Sequence, residues 1–171
     1  MMQLIRAVLD RWAFFALGSS ALMLAAAHAF ETFGGYAPCT LCLRAREVYW
    51  VAGTVALVAI LVRKLPRTAR WRWTFDAALA LIFAVGVGVA VYHSGAEWKW
   101  WPGPTTCSST GAAVSTQAMA DLLGGAKIRP PACDEAAWRF LGLSMAGWNA
   151  LISLKLTVLS VWAALRRRVR S

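Results

Sequence analysis

Charge is what this chain has least of: only 15% of its 171 residues are Asp, Glu, Lys or Arg, and just eight are acidic. A soluble domain carries about 25% charged residues overall, so that class is excluded. The 18 lysines and arginines leave a net charge of +10. They gather at the edges of apolar runs rather than in a patch, which argues against a nucleic-acid surface. No internal repeat is evident, and histidine is limited to His28 and His93. The second half of the chain lacks a close cysteine pair, which argues against a four-cysteine zinc site, so no metal ligands are expected.

What is present is apolar: 59% of the residues are hydrophobic and ten are tryptophan. Four runs approach membrane length, at about 13–30, 43–62, 73–93 and 145–165, the first free of charge and roughly 27 Å long as a helix. The expectation is an all-α membrane protein, a four-helix transmembrane bundle forming a single integral membrane domain over residues 1–171. Trp12, Trp50, Trp73, Trp98, Trp100, Trp101, Trp148 and Trp162 lie near the ends of the runs, where amphipathic rings anchor in the headgroup zone.

Arg63, Lys64, Arg67, Arg70 and Arg72 fill the connection between the second and third runs, with Arg6 and Arg11 at the start and Arg166, Arg167, Arg168 and Arg170 at the end. Positive short loops stay in the cytoplasm, so both termini are expected there. The two cysteine-bearing loops, about 31–42 and 94–144, then fall on the opposite, oxidising side. A cleaved signal peptide ending at Ala27-His28-Ala29 is the rival reading of the first run; it leaves the cysteines outside as well. Within the second loop, Ser115 to Leu123 is expected to form a short amphipathic helix on the membrane surface.

The chemistry is expected at Pro38-Cys39-Thr40-Leu41-Cys42. Two thiols at this spacing suit reversible disulfide chemistry, and the positive end of a helix dipole favours a thiolate, more at Cys42 than at Cys39. Arg46 lies one turn beyond Cys42 and can share its face, with Glu47 as the nearby carboxylate for an arginine; Arg44 points elsewhere. Cys107 and Cys133 are separated by 25 residues, too many for a close redox motif. They are expected to form a loop-closing disulfide, either a staple worth about 3 kcal/mol or an exposed bridge that exchanges with the first pair. His28 reads as a boundary residue, while His93 has a stronger claim to a site. Lys155 sits mid-membrane, and Asp76 is its expected partner.

Pro38-Cys39-x-x-Cys42 followed by Arg46, a loop holding Cys107 and Cys133, and Trp138-Arg139-Phe140-Leu141-Gly142-Leu143 before the last run together resemble the DsbB family. Proteins of the VKOR type place the close pair after the loop pair, so the order here favours DsbB. The resemblance implies a bacterial inner-membrane thiol:quinone oxidoreductase that reoxidises a periplasmic DsbA-type thioredoxin-fold protein and passes electrons to ubiquinone or menaquinone. It further implies that Cys107 takes the partner's thiolate, that Cys133 attacks Cys39, and that Cys42 faces the quinone, held by Arg46 with His93 nearby. A non-catalytic membrane protein with two static disulfides is the alternative from another class, and a DsbI-like enzyme serving one dedicated partner is a third.

Overall fold

The computed structural model describes residues 7–36, 38–63, 65, 71–104 and 133–170. Cys107 and the expected helix from Ser115 to Leu123 lie outside them. Four long helices carry the fold: α1 (Trp12–Thr32), α2 (Thr40–Val62), α3 (Arg72–Glu97) and α4 (Met145–Arg170). All four are long and apolar enough to cross a membrane, with 21 residues in the shortest, about 32 Å of rise against roughly 30 Å of hydrocarbon. None contains proline, so each backbone can be hydrogen-bonded throughout its length, as a bilayer requires.

The helices outrun the apolar runs at the cysteine-bearing end. Cys39 caps α2 in an extended conformation (φ −78°, ψ 169°), so the helix begins at Thr40 and takes Cys42 into its first turn. α3 continues through His93 to Glu97 and stops where Lys99 turns left-handed (φ 61°). One unexpected element precedes α4: strands β1 (Arg139–Phe140) and β2 (Leu143–Ser144) pair antiparallel. Leu141 and Gly142 between them both have positive φ (52° and 81°), the conformation a tight two-residue hairpin demands. Ser144 Oγ then accepts the Gly147 N–H at 3.1 Å and caps α4.

Small residues let the helices approach closely. Ala16, Ala52 and Ala56 are fully buried, and a Cβ at Gly86 would stand 3.1 Å from Val48 and 3.3 Å from Ser153. Leu79, Phe83 and Leu156 fill the space around them. Polar contacts tie the interior: the Tyr49 hydroxyl donates to Asn149 Oδ1 at 2.5 Å and lies 2.9 Å from Ser153 Oγ. Trp12 departs from the anchoring role expected of it. Its ring is 1% exposed, and Nε1 donates to Ser160 Oγ at 3.0 Å.

Asp76 also finds a different partner. Its Oδ2 lies 3.2 Å from Arg167 Nε, because antiparallel α3 and α4 bring the first turn of one beside the last turns of the other. Lys155 sits twelve residues, or roughly 18 Å, short of that level and faces outward. Arg167→Leu is therefore expected to destabilise the protein by about 3 kcal/mol, since it strands a buried carboxylate. Lys155→Leu should change stability by less than about 0.5 kcal/mol. Thermal unfolding in detergent compares the two, and the reverse order would restore the Lys155 pairing.

Candidate active site

Cys39 and Cys42 are free thiols at the start of α2. Cys39 Sγ accepts the Cys42 backbone N–H at 3.3 Å and meets the Cys42 sulfur at 2.9 Å, donating to it. The Cys39 thiol is pushed well above its ordinary range, first by giving its proton to the Cys42 sulfur and then by burial; the amides of Cys42 and Leu41 oppose this only in part. Cys39 is therefore the proton-bearing member of the pair, and Cys42, one turn into the helix, is the member better supplied with helix-end amides.

On one side of the pair stands Cys133. It is disulfide-bonded, wholly buried and packed on Cys39 beside Leu41 and Cys42, with its sulfur 3.7 Å from Thr40 Oγ1. The neighbouring Asp134 is fastened to Lys99 at 2.7 Å, and that ion pair holds the Asp134 carboxyl below its usual range. A loop-closing bridge in an exposed segment, either a staple or open to exchange, was the expectation. Instead the Cys133 sulfur is closed to solvent, because the chain leading into β1 lies directly against the capped end of α2.

His93 approaches from α3. Its Nε2 lies 3.7 Å from Cys39 Sγ and 3.7 Å from Glu97 Oε1, one turn along the same helix. The ligand atoms of Cys39, Cys42 and His93 all fall within 4.8 Å of one another, a soft donor set when both thiols are ionised.

On the other side of the pair opens a cavity of about 410 Å³, walled by Phe30, Trp138, Phe140 and Trp148 and reached by Cys42, Arg46 and His93. The hairpin closes it: Trp138 packs on Phe30 with centroids 5.2 Å apart and stacks on Phe140 at 5.8 Å, while Trp148 Nε1 donates to the Phe140 carbonyl at 3.1 Å. Arg46 is held from α1, donating to Glu31 Oε2 at 2.6 Å and to the Ala27 carbonyl at 3.2 Å. Glu47 is not its partner; it pairs with Arg44 at 2.9 Å on the exposed face. His28 stays at the boundary, 3.9 Å from Glu31.

Five of the six residues singled out in the sequence thus converge, and the sixth, Cys107, lies outside the described residues. Glu31, Glu97, Tyr49 and Asn149 were not singled out. Only Glu97 carried a signal, its four-residue spacing from His93 at a helix end.

In the reduced protein, alkylation is expected to modify Cys42 at least about tenfold faster than Cys39. The Cys39 rate should still rise about tenfold per pH unit between roughly pH 7 and 9, because a thiol raised above that range stays proton-limited throughout. Mass spectrometry of quenched time points checks this; equal rates would remove the asymmetry between the sulfurs.

Against known proteins, the family described as "Disulfide bond formation protein DsbB" matches residues 10–163. A Disulfide bond formation protein B of Marinobacter nauticus is 32% identical over 151 residues, covering 85% of each chain. Its namesake in Nitrosococcus oceani is 30% identical over 163 residues, covering 89% of each, and that of Azoarcus is 30% identical over 157 residues, covering 88% of this chain and 89% of its own. No solved structure matches the chain significantly.

Proposed function

The chain belongs to the DsbB family of disulfide bond formation proteins, and from that premise we propose that it reoxidises a periplasmic DsbA-type dithiol protein and delivers the electrons to a membrane quinone. The observation that carries this reading is the two-sided setting of one thiol pair. Cys39 touches the buried Cys133, and Cys42 opens onto an apolar cavity. A static pair of staples needs neither contact.

Because Cys133 is buried, the incoming thiolate is directed to Cys107, forming a mixed disulfide as Cys133 leaves as thiolate. Already packed on Cys39, Cys133 attacks the closed Cys39–Cys42 bridge, bonds to Cys39 and releases Cys42 at the cavity wall. The partner's second thiolate then resolves the mixed disulfide, and the freed Cys107 re-forms its bond with Cys133. That leaves Cys39 and Cys42 as the dithiol seen in the structure. Two electrons and two protons have entered the protein, and the same number must leave as the close pair shuts again.

A bound quinone, ubiquinone or menaquinone, supplies the acceptor of those two electrons and two protons. The cavity fits such a head group: it falls in the usual size range of ligand sites and is mostly apolar, with a few directed polar groups. Arg46, fixed by Glu31 and Ala27, orients the acceptor and holds negative charge on Cys42. His93, beside the Cys39 proton, is placed to move it toward the cavity. The remaining assignments follow from this relay: an inner-membrane position, cytoplasmic termini and periplasmic cysteine loops.

The test is loss of quinone absorbance when the detergent-purified protein meets a reduced DsbA-type protein. Rapid loss that disappears in Cys39→Ala and Cys107→Ala is expected; no loss with several quinones, in folded protein, would leave the cysteines as staples. Arg46→Ala should raise the apparent KM for quinone by at least about tenfold, with little change in the KM for the dithiol partner. Unchanged quinone kinetics would take Arg46 out of the site.

A further inference from the structure

At the end of the bundle opposite the cysteines, a second cavity of about 290 Å³ lies between the start of α1, the end of α2, the start of α3 and the end of α4. Arg11, Arg63, Arg72 and Arg167 line it together with Asp10 and Asp76. The Asp76–Arg167 pair cancels within the wall, and Arg167 also donates to the Leu9 and Asp10 carbonyls at 3.4 and 3.0 Å. Three arginines then remain against the single carboxylate of Asp10, which is a surplus of positive charge inside a concave site.

A further observation points to a missing acceptor. Arg72 donates through one terminal nitrogen to the Arg63 carbonyl at 2.8 Å, but its Nε is buried with no hydrogen-bond partner among the described residues. An orphaned guanidinium donor is costly unless something completes it. The 26-residue α3 also begins at this wall, and Arg72, Trp73 and Phe75 near its start line the cavity. The rest of the wall is apolar, with Phe14 and Phe75, and the Arg63 guanidinium lies 5.5 Å over the Phe14 ring.

We propose that this cavity binds the phosphate of an anionic glycerophospholipid. Arg72 donates to the phosphate oxygens through its unpartnered Nε, Arg11 and Arg63 supply the surrounding charge, and the aromatic wall takes the glycerol and upper acyl chain. The source is a lipid rather than a soluble phosphate because the arginines ring the end of membrane-length helices, at the depth of a headgroup, with apolar wall below. Nothing in the thiol relay requires the site, and the two stand or fall separately.

Thermal unfolding of the full chain in a neutral detergent tests it, with phosphatidylglycerol, phosphatidylcholine or inorganic phosphate added. Phosphatidylglycerol is expected to raise Tm above the phosphatidylcholine value, and inorganic phosphate to leave it unchanged. Arg72→Gln should weaken the apparent phosphatidylglycerol affinity by about fivefold, with Arg11→Gln as a second variant because Arg72 also bonds the backbone. Arg44→Gln, at the cysteine end, should keep the full increment. Equal shifts with the two lipids, or an increment unchanged in both cavity variants, would overturn the site. An increment reproduced by inorganic phosphate would overturn the lipid assignment.

Discussion

Hydrocarbon offers no partner to a peptide N–H or C=O, and everything else in this molecule is arranged around that constraint. Segments that cross must be helices that satisfy their own backbones, so turns, caps and reactive groups are driven to the two ends. At one end, Cys39 caps α2 with its sulfur, and this single cap sets the geometry of the thiol pair. A helix end supplies amides to a developing negative charge, and here it does so at the start of a membrane-length span.

The chemistry depends on how three chain segments meet at that cap. The segment carrying Cys133 seals one side, with its sulfur fully buried against Cys39. α3 delivers His93 to the Cys39 sulfur, with Glu97 one turn further on. The β1–β2 hairpin and the residue before it lay Trp138 and Phe140 over the other side, where they wall an apolar cavity. Each sulfur of the close pair consequently meets a different environment, Cys133 beside Cys39 and the apolar cavity beside Cys42.

Polar contacts inside the bundle set how the helices sit. Trp12 to Ser160 ties the start of α1 to the end of α4, Tyr49 to Asn149 and Ser153 ties α2 to α4, and Asp76 to Arg167 closes α3 on α4. In lipid these bonds are worth only about 0.6 to 2 kcal/mol each. Their directionality matters more than their strength, because apolar side chains alone allow many helix rotations and a hydrogen bond allows few. Arg46 shows the same logic near the site: its reach to Glu31 and Ala27 fixes its direction into the cavity.

The number of spans, the close thiol pair at a helix start, and the shared face of Cys42 and Arg46 were legible in the sequence, because each depends on local quantities: run length, a capping position and a four-residue spacing. Pairings across helices were not. Asp76 was matched to Lys155, and Glu31 was not foreseen as a partner for Arg46, whereas the folded bundle joins Asp76 to Arg167 and Arg46 to Glu31. Trp12 was placed at the headgroups and is in the core. Sequence spacing states which residues share a helix face, but which faces meet depends on rotation and depth, set only when small residues let the helices close on one another. The burial of Cys133 and the apolar cavity beneath the hairpin belong to that second class. They arise from the meeting of segments about ninety residues apart in the chain, and tertiary packing alone decided them.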